Sequence, residues 1–484
     1  MKRIVVYDNC IKPNEIIREV IGDKGFGDVV VKRRKLSDTY FEKIGFLSPY
    51  VKISFDNPYD IEQFLEKAEA PEDAKVIHCF SDHIVLDETE LEYTFQKLDF
   101  INENVRAVKD KRSVALMFKS ISEYLIFLRK SLRHGIDQTV SEYEFIETPV
   151  DGVAFIGDII NFIQCITGNF DSRYFNSLKG DEFCIRKYST NKVKIESEYR
   201  YWQLLPQNMK RWVVMPYDYK DDGERSSYAM ERLYMTDVAI KWVHGSIGID
   251  EFSTLCDMYF AFFNERSKKE ITKEQYMSKN RELYVEKVRE RIEDLKKLKE
   301  YDKIRGIIAS DEHLVDIDLI FERYLDLKDR IEKSSECNYV SVIGHGDPCF
   351  ANAMYNRSTH TLKFIDPKGA LTEEELWTDP YYDIAKLSHS VCGNYDFFNN
   401  ALFDINLDET FTHRINIPFD NSPYKDVFCE KVTANGYDYL RVRLYEASLF
   451  LSMLPLHIDY PHKVLGFIIN AVNILDEIGA ICNG

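Results

Sequence analysis

The alternation of apolar and polar positions divides the chain into a shorter amino-terminal part and a longer carboxyl-terminal part. In the first part, short apolar runs typical of buried strands alternate with segments of helical periodicity. The predicted strands are residues 2–7, 51–55, 76–80 and 114–118, and the predicted helices are 14–20, 61–68, 88–100 and 121–133. This order predicts a small α/β domain over residues 1–147 with a largely parallel sheet.

After about residue 148 the pattern predicts a few strands followed by many helices. Strands at 183–187 and 227–233 flank a helix at 194–205, which Pro206 ends. Further helices are predicted at 237–242, 252–263, 272–301, 314–331, 440–453 and 462–478.

Two more short apolar runs, 340–343 and 361–365, predict strands within the helical part. Residues 356–360 between them have turn composition, so we expect the two strands to pair as a hairpin.

Three side chains that carry oxygen atoms follow these two strands. Asp347 and Asn352 come after the first strand, and Asp366 ends the second. A carboxylate at Asp347 suits the removal of a proton from an attacking hydroxyl, while Asn352 and Asp366 offer the oxygen ligands that magnesium prefers. Together they indicate phosphoryl transfer, in which positioning and charge neutralisation matter most.

This stretch resembles the aminoglycoside phosphotransferase and choline kinase family. The resemblance rests on three motifs in order: His-Gly-Asp-x-x-x-x-Asn at 345–352, Ile-Asp-Pro at 365–367 and Asp-Pro-x-x-Asp-Ile-Ala at 379–385. A lone His-Gly-Asp is usually a turn, but the ordered set is hard to obtain by chance. The resemblance covers about two-thirds of the chain.

The resemblance implies an α+β, two-lobed protein-kinase-like domain of the aminoglycoside phosphotransferase type. Residues 148–235 would form its N-lobe, and 236–484 its C-lobe with a helical acceptor-binding region. It also implies ATP and Mg²⁺ as cofactors, Asp347 as the catalytic base, and Asn352 and Asp366 as the metal ligands.

Two neighbouring residues of the predicted N-lobe, Arg186 and Lys187, are candidates for the cation that holds the α and β phosphates. Strand alternation places them on opposite faces. Kinases place a small residue, here Cys184, two positions before the cation, which favours Arg186. The family more often uses lysine, which favours Lys187. Glu198 lies on the apolar face of its predicted helix, and we expect it to pair with that cation.

Two other segments correspond to nucleotide-binding parts of the family. The polar loop 168–176 would cover the phosphates with backbone amides, although it contains one glycine only. The segment 227–233 resembles the hinge between lobes, where backbone groups of Met230, Glu231 and Leu233 would hold adenine. A buried edge strand is the alternative interpretation of that segment. Trp377, Tyr381 and Tyr382 offer rings for caging a quaternary ammonium, with core packing as the alternative.

Composition narrows the class of protein and its partners. A length of 484 residues predicts two or three domains. The net charge of -18 disfavours nucleic acid and anionic membranes as partners. The ten cysteines contain no Cys-x-x-Cys pair, which predicts reduced thiols in a cytoplasmic protein. No apolar run approaches the length that spans a bilayer, so no membrane insertion is expected.

The first domain has no clear chemistry. Its glycines at 22, 25 and 27 lack the spacing of a dinucleotide fingerprint. Asp82 and Asp87 follow the strand 76–80 and are faintly similar to the metal-binding end of a nucleotide-sugar enzyme.

The sequence therefore predicts an ATP- and Mg-dependent phosphotransferase that acts on a hydroxyl of a small molecule. We expect the acceptor to be an amino alcohol, a sugar or a related precursor. Its phosphorylation would serve the biosynthesis of a surface polysaccharide such as a capsule. The alternatives are a catalytically inactive nucleotide-binding scaffold and a bifunctional enzyme with a nucleotidyltransferase-like first domain. A degenerate nucleotidyltransferase-like domain of uncertain role is the other interpretation of residues 1–147. The sequence leaves open the identity of the acceptor, ATP versus GTP, and homo-oligomer formation.

Overall fold

The computed structural model describes residues 3–47, 50–55, 57–67, 74–97, 100–167, 176–180, 183–311, 313–334 and 338–483. The chain divides into two compact units, Met1–Asp171 and Ser172–Gly484. The division falls later than the predicted 147/148 boundary, because residues 146–149 and 153–155 pair with strands of the first unit. The predicted lobes at 148–235 and 236–484 stay a prediction.

The first unit is built around a mixed sheet. Its strands are β1 (Arg3–Asp8), β2 (Val30–Val31), β3 (Arg34–Lys35), β4 (Tyr50–Phe55), β5 (Lys75–Phe80), β6 (His83–Val85), β7 (Val105–Lys109), β8 (Arg112–Phe118), β9 (Ile146–Pro149) and β10 (Val153–Phe155). The main sheet has the order β4-β1-β5-β8-β7-β9. Strand β1 is parallel to β4 and β5, and β7 is parallel to β9. Strand β8 is antiparallel to both of its neighbours, so the expected largely parallel sheet is mixed instead.

Helices cover both faces of this sheet. They are α1 (Glu15–Ile21), α2 (Leu36–Lys43), α3 (Pro58–Lys67), α4 (Glu88–Lys97), α5 (Ile121–His134), α6 (Ile136–Glu142) and α7 (Ile159–Ile166). Alternate residues of β1 enter different cores: Val5 packs with side chains of α2 and α4, whereas Ile4 and Val6 pack with α5. A strand that is buried on both faces has the continuous apolar pattern seen in the sequence.

The second unit combines an antiparallel sheet with many helices. Its strands are β11 (Asn176–Gly180), β12 (Cys184–Ser189), β13 (Pro216–Asp221), β14 (Ser226–Glu231), β15 (Thr236–Asp237), β16 (Lys268–Glu270), β17 (Val340–Ile343), β18 (Ala353–Asn356), β19 (Thr361–Phe364), β20 (Trp377–Thr378), β21 (Asp404–Leu407) and β22 (His413–Asn416). Strands β11, β12, β14 and β13 form one antiparallel sheet in that order.

The helices of the second unit supply most of its core. They are α8 (Lys192–Leu204), α9 (Gln207–Lys210), α10 (Val238–Val243), α11 (Ile249–Glu265), α12 (Lys273–Arg281), α13 (Lys287–Lys296), α14 (Tyr301–Ala309), α15 (Ile317–Ser334), α16 (Tyr382–Val391), α17 (Tyr395–Asn399), α18 (Ser422–Ala434), α19 (Tyr439–Met453) and α20 (Pro461–Asn483). Apolar side chains of α13, α15, α19 and α20 form one buried cluster, and those of α10, α11, β18 and β19 belong to another.

Local sequence explains how α8 begins and ends. Its first turn is capped by Asn191, whose side-chain oxygen accepts a hydrogen bond from the Lys194 amide at 3.1 Å. Pro206 follows the helix, as predicted, and begins the next short one. The capped start and the proline stop place Glu198 in the middle of α8, beneath the sheet that contains β12 and β14.

The predicted hairpin between residues 340–343 and 361–365 is wrong. Strand β17 pairs with β16 and β20, while β19 pairs with β18 in a hairpin that aligns Ala353 with Phe364. Strand β18 is joined to β19 by a four-residue turn, and strands joined by so short a loop pair most readily. Asp366 nevertheless stays close to the loop after β17, because the Ile365 amide donates a hydrogen bond to the Asn352 carbonyl at 3.0 Å.

The predicted helix 272–301 is divided into α12, a π-helical segment Glu282–Glu286, and α13.

The last helix corrects the expectation that no apolar run is long enough to span a bilayer. Its residues Pro461–Cys482 are long and apolar enough to cross a membrane. Within it, 67% of the most apolar stretch is buried inside the protein, as in a core helix of a globular fold.

Candidate active site

The loop that follows β17 is held by α16. The amides of His345 and Gly346 donate hydrogen bonds to the two carboxylate oxygens of Asp383, at 2.9 and 2.8 Å. Asp383 is fully buried and forms an ion pair with Arg266 at 3.3 Å. Gly346 has a φ of 85°, and a Cβ there would lie 2.5 Å from the Cβ of Lys368. Only glycine fits, so the backbone that leads to Asp347 is tightly fixed.

Asp347 is held through its main chain as well as its side chain. Its amide donates to Nδ1 of His345 at 3.3 Å, and its carbonyl accepts from the Asn352 side chain at 3.0 Å. Burial lowers the pKa of His345, which keeps the imidazole neutral and able to accept this bond. The Lys386 ammonium lies 3.0 Å from Oδ1 of Asp347. Burial alone would lower the pKa of Lys386, but the charge of Asp347 and of other neighbours raises it above the ordinary value.

Lys187, Glu198 and Asp366 form a row of charges. The Lys187 ammonium is 3% exposed and lies 2.8 Å from both Oε2 of Glu198 and Oδ1 of Asp366. The Tyr228 hydroxyl donates to the same oxygen of Glu198 at 2.9 Å. Burial by itself would lower the pKa of Lys187, but the carboxylates of Asp366 and Glu198 raise it. The lysine is therefore a protonated, rigidly held cation.

Arg186 points to the opposite face of β12. Its guanidinium pairs with the Asp218 carboxylate, donates to the Asp218 carbonyl at 2.9 Å and donates to the Ser227 hydroxyl at 3.2 Å. Of the two candidate cations, the structure places Lys187 beside Glu198 and Asp366, and Arg186 away from them.

A cavity of about 190 Å³ ends at this row of charges. Three of the residues predicted to contact adenine, Met230, Glu231 and Leu233, line it. Lys187 and Asp366 provide polar lining, and the other lining residues are apolar: Ile185, Val214, Met354 and Ile365. Sequence reasoning missed these four, although Ile365 directly precedes Asp366 and Ile185 shares a strand with Lys187. The predicted phosphate-covering loop, 168–176, lies outside the described residues except for its last position.

Asn352 and Asp366 fit a magnesium ion by the oxygen atoms they leave uncommitted. The Asn352 amide nitrogen donates to Asp347, so its Oδ1 is left as an acceptor. Lys187 engages Oδ1 of Asp366, whose side chain is 42% exposed. In the described parts of the chain, no group of three or more His, Cys, Asp or Glu side chains could hold a metal. Magnesium needs no such group, since it often binds one or two protein oxygens together with phosphates and water.

The aromatic residues near the third motif, which offered rings for an ammonium cage, each face a cation of the protein itself. The ammonium of Lys269 lies 4.2 Å from the ring centre of Trp377. Tyr381 faces the Arg441 guanidinium at 5.2 Å, and Tyr382 faces Lys287 at 5.3 Å.

Four residues that organise the site were not predicted as parts of it: Arg266, Tyr228, Lys368 and Lys386. Arg266 follows α11 in a polar stretch, where an arginine resembles a surface residue, and Tyr228 resembles a core residue of its strand. Lys386 had one usable signal, its position three residues after Asp383 on the same helical face.

No family model and no curated protein matches the chain, whereas several solved structures do. A thermostable mutant of the aminoglycoside phosphotransferase APH(4)-Ia, in its apo form, is 12% identical, with 65% of this chain and 98% of that chain covered and a TM-score of 0.34. A second mutant of that enzyme, in a ternary complex with ADP and hygromycin B, is 11% identical over 64% and 95% of the two chains, with a TM-score of 0.35. Choline kinase from Cryptosporidium parvum is 11% identical over 64% and 88%, with a TM-score of 0.32.

These neighbours belong to the group whose motifs the sequence resembles. At such identities and TM-scores the similarity says nothing about activity or residue roles, which rest on the geometry of the site.

Proposed function

We propose that the second unit transfers the γ-phosphoryl group of ATP to a hydroxyl of a small molecule, in a two-lobed kinase-like arrangement. The observation that supports this most directly is the row Glu198–Lys187–Asp366 at the polar end of an apolar cavity. The Asp347 loop is tied to the same place through the hydrogen bond between Ile365 and Asn352. A held cation, a partly exposed carboxylate and an apolar slot are parts that phosphoryl transfer from a nucleotide uses.

The nucleotide would occupy the cavity with its adenine between apolar side chains. Backbone groups from Met230 to Leu233, at the end of β14, would bond the edge of the base. Lys187 would hold the α and β phosphates, and its pairing with Glu198 fixes its ammonium before the nucleotide arrives. A cation that needs no rearrangement stabilises the transferred charge more effectively than a mobile one.

Asn352 and Asp366 would hold magnesium, which supplies positive charge to the phosphates during transfer. Asp347 would act as the base. As the acceptor oxygen bonds to the γ phosphorus and the bond to the β phosphate breaks, the hydroxyl proton passes to the Asp347 carboxylate and ADP leaves. The half-exposed carboxylate of Asp347, fixed on a rigid loop, is suited to this role.

The two alternatives receive less support from the described residues. A scaffold without transfer has no need for Asp347, Asn352, Asp366 and a paired Lys187 in one place. For a nucleotidyltransferase-like first unit, the relevant carboxylates are Asp87 and Asp82. Asp87 accepts a hydrogen bond from the Thr89 amide at 2.9 Å, at the start of α4. Asp82 lies just after β5 and contacts Nδ1 of His83 at 2.7 Å. That contact is also typical of an ordinary loop. A cytoplasmic role in polysaccharide synthesis stays a prediction.

The test is ATP consumption with Mg²⁺ against a panel of amino alcohols, sugars, polyols and aminoglycosides. We expect turnover with one class of acceptor, and a loss of about 10²–10⁴-fold in Asp347→Asn with nucleotide affinity retained. Asp404→Asn, an exposed carboxylate on β21, is the matched control. Full turnover in Asp347→Asn would remove Asp347 as the base. ATP binding without transfer to any acceptor would favour the scaffold.

A further inference from the structure

Lys386 lies on α16 one turn after Asp383, and it is mostly buried. Its side chain is 12% exposed, and its ammonium is 3.0 Å from Oδ1 of Asp347. That oxygen is itself buried, whereas the Asp347 side chain as a whole is 37% exposed. The exposed carboxylate oxygen of Asp347 is therefore Oδ2.

Few other groups near Lys386 are placed to hold the Asp347 carboxylate. Tyr382 lies one turn earlier on α16, and its hydroxyl accepts a hydrogen bond from Lys287 at 2.9 Å. Among the ion pairs of the described residues, the pair that includes Asp347 is formed by Lys386. Tyr395 and His389 are also close; His389 is buried and Tyr395 is partly buried.

Main-chain bonds alone do not fix the Asp347 carboxylate. The contacts of its amide with His345 and of its carbonyl with Asn352 set the backbone, but they leave the side-chain torsions free. A carboxylate that rotates presents either oxygen, or neither, to an acceptor. An ammonium held at Oδ1 by a rigid helix removes this freedom.

We propose that Lys386 is a positioning residue, which grips Oδ1 of Asp347 and so presents Oδ2 to the acceptor hydroxyl. The proposal rests on the proposed function of Asp347 as the base. One helix then orients the whole catalytic loop, since Asp383 holds its backbone amides and Lys386 holds its reactive side chain. A misplacement of about 1 Å at a reacting group costs roughly 100-fold in rate, which sets the expected size of the effect.

A purely structural role would give a different pattern. If Lys386 and Asp347 only neutralise each other in the core, removing the lysine destabilises the protein without a selective loss of the chemical step. If Lys386 positions the base, its removal lowers kcat while the KM for ATP and for the acceptor stay the same. The effect also vanishes once the base is gone, because there is nothing left to position.

The experiment uses the full chain with the acceptor found in the panel. Lys386→Met should lower kcat about 100-fold, Lys386→Arg should restore most of it, and Lys386→Met should cause no further loss when added to Asp347→Asn. Lys287→Met removes a neighbouring cation that contacts Tyr382 and should keep its kcat. An unchanged kcat in folded Lys386→Met, or an equal loss in the Asp347→Asn background, would overturn the proposal.

A second measurement needs neither activity nor ligand. The fall in Tm caused by Lys386→Met should shrink in the Asp347→Asn background, since the uncompensated carboxylate is then absent. Equal falls in both backgrounds would contradict the pairing on which the proposal rests. If Lys386→Met does not fold, Lys386→Gln replaces it in both measurements. Wild-type protein that transfers phosphate to no acceptor would overturn the proposed function, while this Tm comparison still reports on the pair.

Discussion

The central cation of the candidate site is buried beside its two carboxylate partners. Lys187 is almost inaccessible to water and has two carboxylates within 2.8 Å. Removing an ammonium from water is unfavourable unless opposite charges replace the lost hydration, so its position is determined by Glu198 and Asp366.

A buried carboxylate elsewhere in the second unit gives a pH-dependent prediction. Burial, with a contribution from Asp237, raises the pKa of Asp396 from 3.8 to about 7. Between these two values the folded chain retains a proton that the unfolded chain has lost, so stability falls as the pH rises and then levels off. Asp396→Asn removes this dependence. We expect it to be more stable than the wild type at pH 8, by on the order of 4 kcal/mol at most, and to lose that advantage towards pH 4.

Urea unfolding at several pH values between 4 and 8 measures this effect. Asp404→Asn, at an exposed position, should follow the wild type throughout. Some pH dependence will remain in Asp396→Asn, because burial also raises the pKa of Asp237 to about 7. A stability difference between Asp396→Asn and the wild type that does not change with pH would contradict the prediction.

Sequence reasoning named the residues that the structure brings together at the candidate site, but not all of the residues that hold them in place. Strand alternation separates Arg186 from Lys187, yet it cannot say which face is inward, because that depends on the helix that carries Glu198. Lys386 is an isolated lysine in a helix, a pattern that usually indicates a surface residue. Its spacing from Asp383 is the one signal in the sequence, and its contact with Asp347 becomes visible when α16 is placed against the loop of Asp347.

At the scale of secondary structure, α16 connects the core of the second unit to its chemistry. Asp383 accepts two amide hydrogen bonds from the loop and pairs with Arg266, and both charged side chains are fully buried. In Asp383→Asn we expect a loss of about 3–5 kcal/mol in the free energy of unfolding, since the Arg266 charge is left uncompensated in the core.

Chemical denaturation of Asp383→Asn measures this loss. The matched control is Asp318→Asn, which breaks an ion pair with Lys296. The Asp318 side chain is 55% exposed and the Lys296 side chain is 29% exposed. Exposed pairs contribute little, so the control should cost about 1 kcal/mol or less. Similar losses in the two variants would show that the Asp383 pair is not a structural anchor.

Elements with strong apolar patterns were predicted well, and those without such a pattern were not. Strand β18 begins directly after Asn352 and was not recognised, so β17 was paired with β19 in its place. The π-helical segment Glu282–Glu286 gives no sequence signal, because the apolar spacing of α12 and α13 continues through it. Its consequence is local, since it directs the Tyr284 hydroxyl to Asp379 at 3.1 Å.

At the scale of the whole molecule, each unit has its own buried cores. Apolar clusters of the first unit form on the two faces of its sheet, and those of the second form among its helices and short strands. Units with separate cores generally unfold in separate transitions.

Scanning calorimetry of the full chain should therefore show two transitions, of which ATP with Mg²⁺ raises only that of the second unit. A ligand at 100 times its Kd adds about 2.7 kcal/mol to the folded state, which corresponds to a shift of several degrees. Lys187→Met should abolish the shift, whereas Arg186→Met should keep it, since Arg186 faces away from the cavity. A lost shift in Arg186→Met would reverse the assignment of the phosphate-binding cation. A nucleotide that raised the first transition instead would favour the bifunctional enzyme, because binding to the first unit is what that alternative requires.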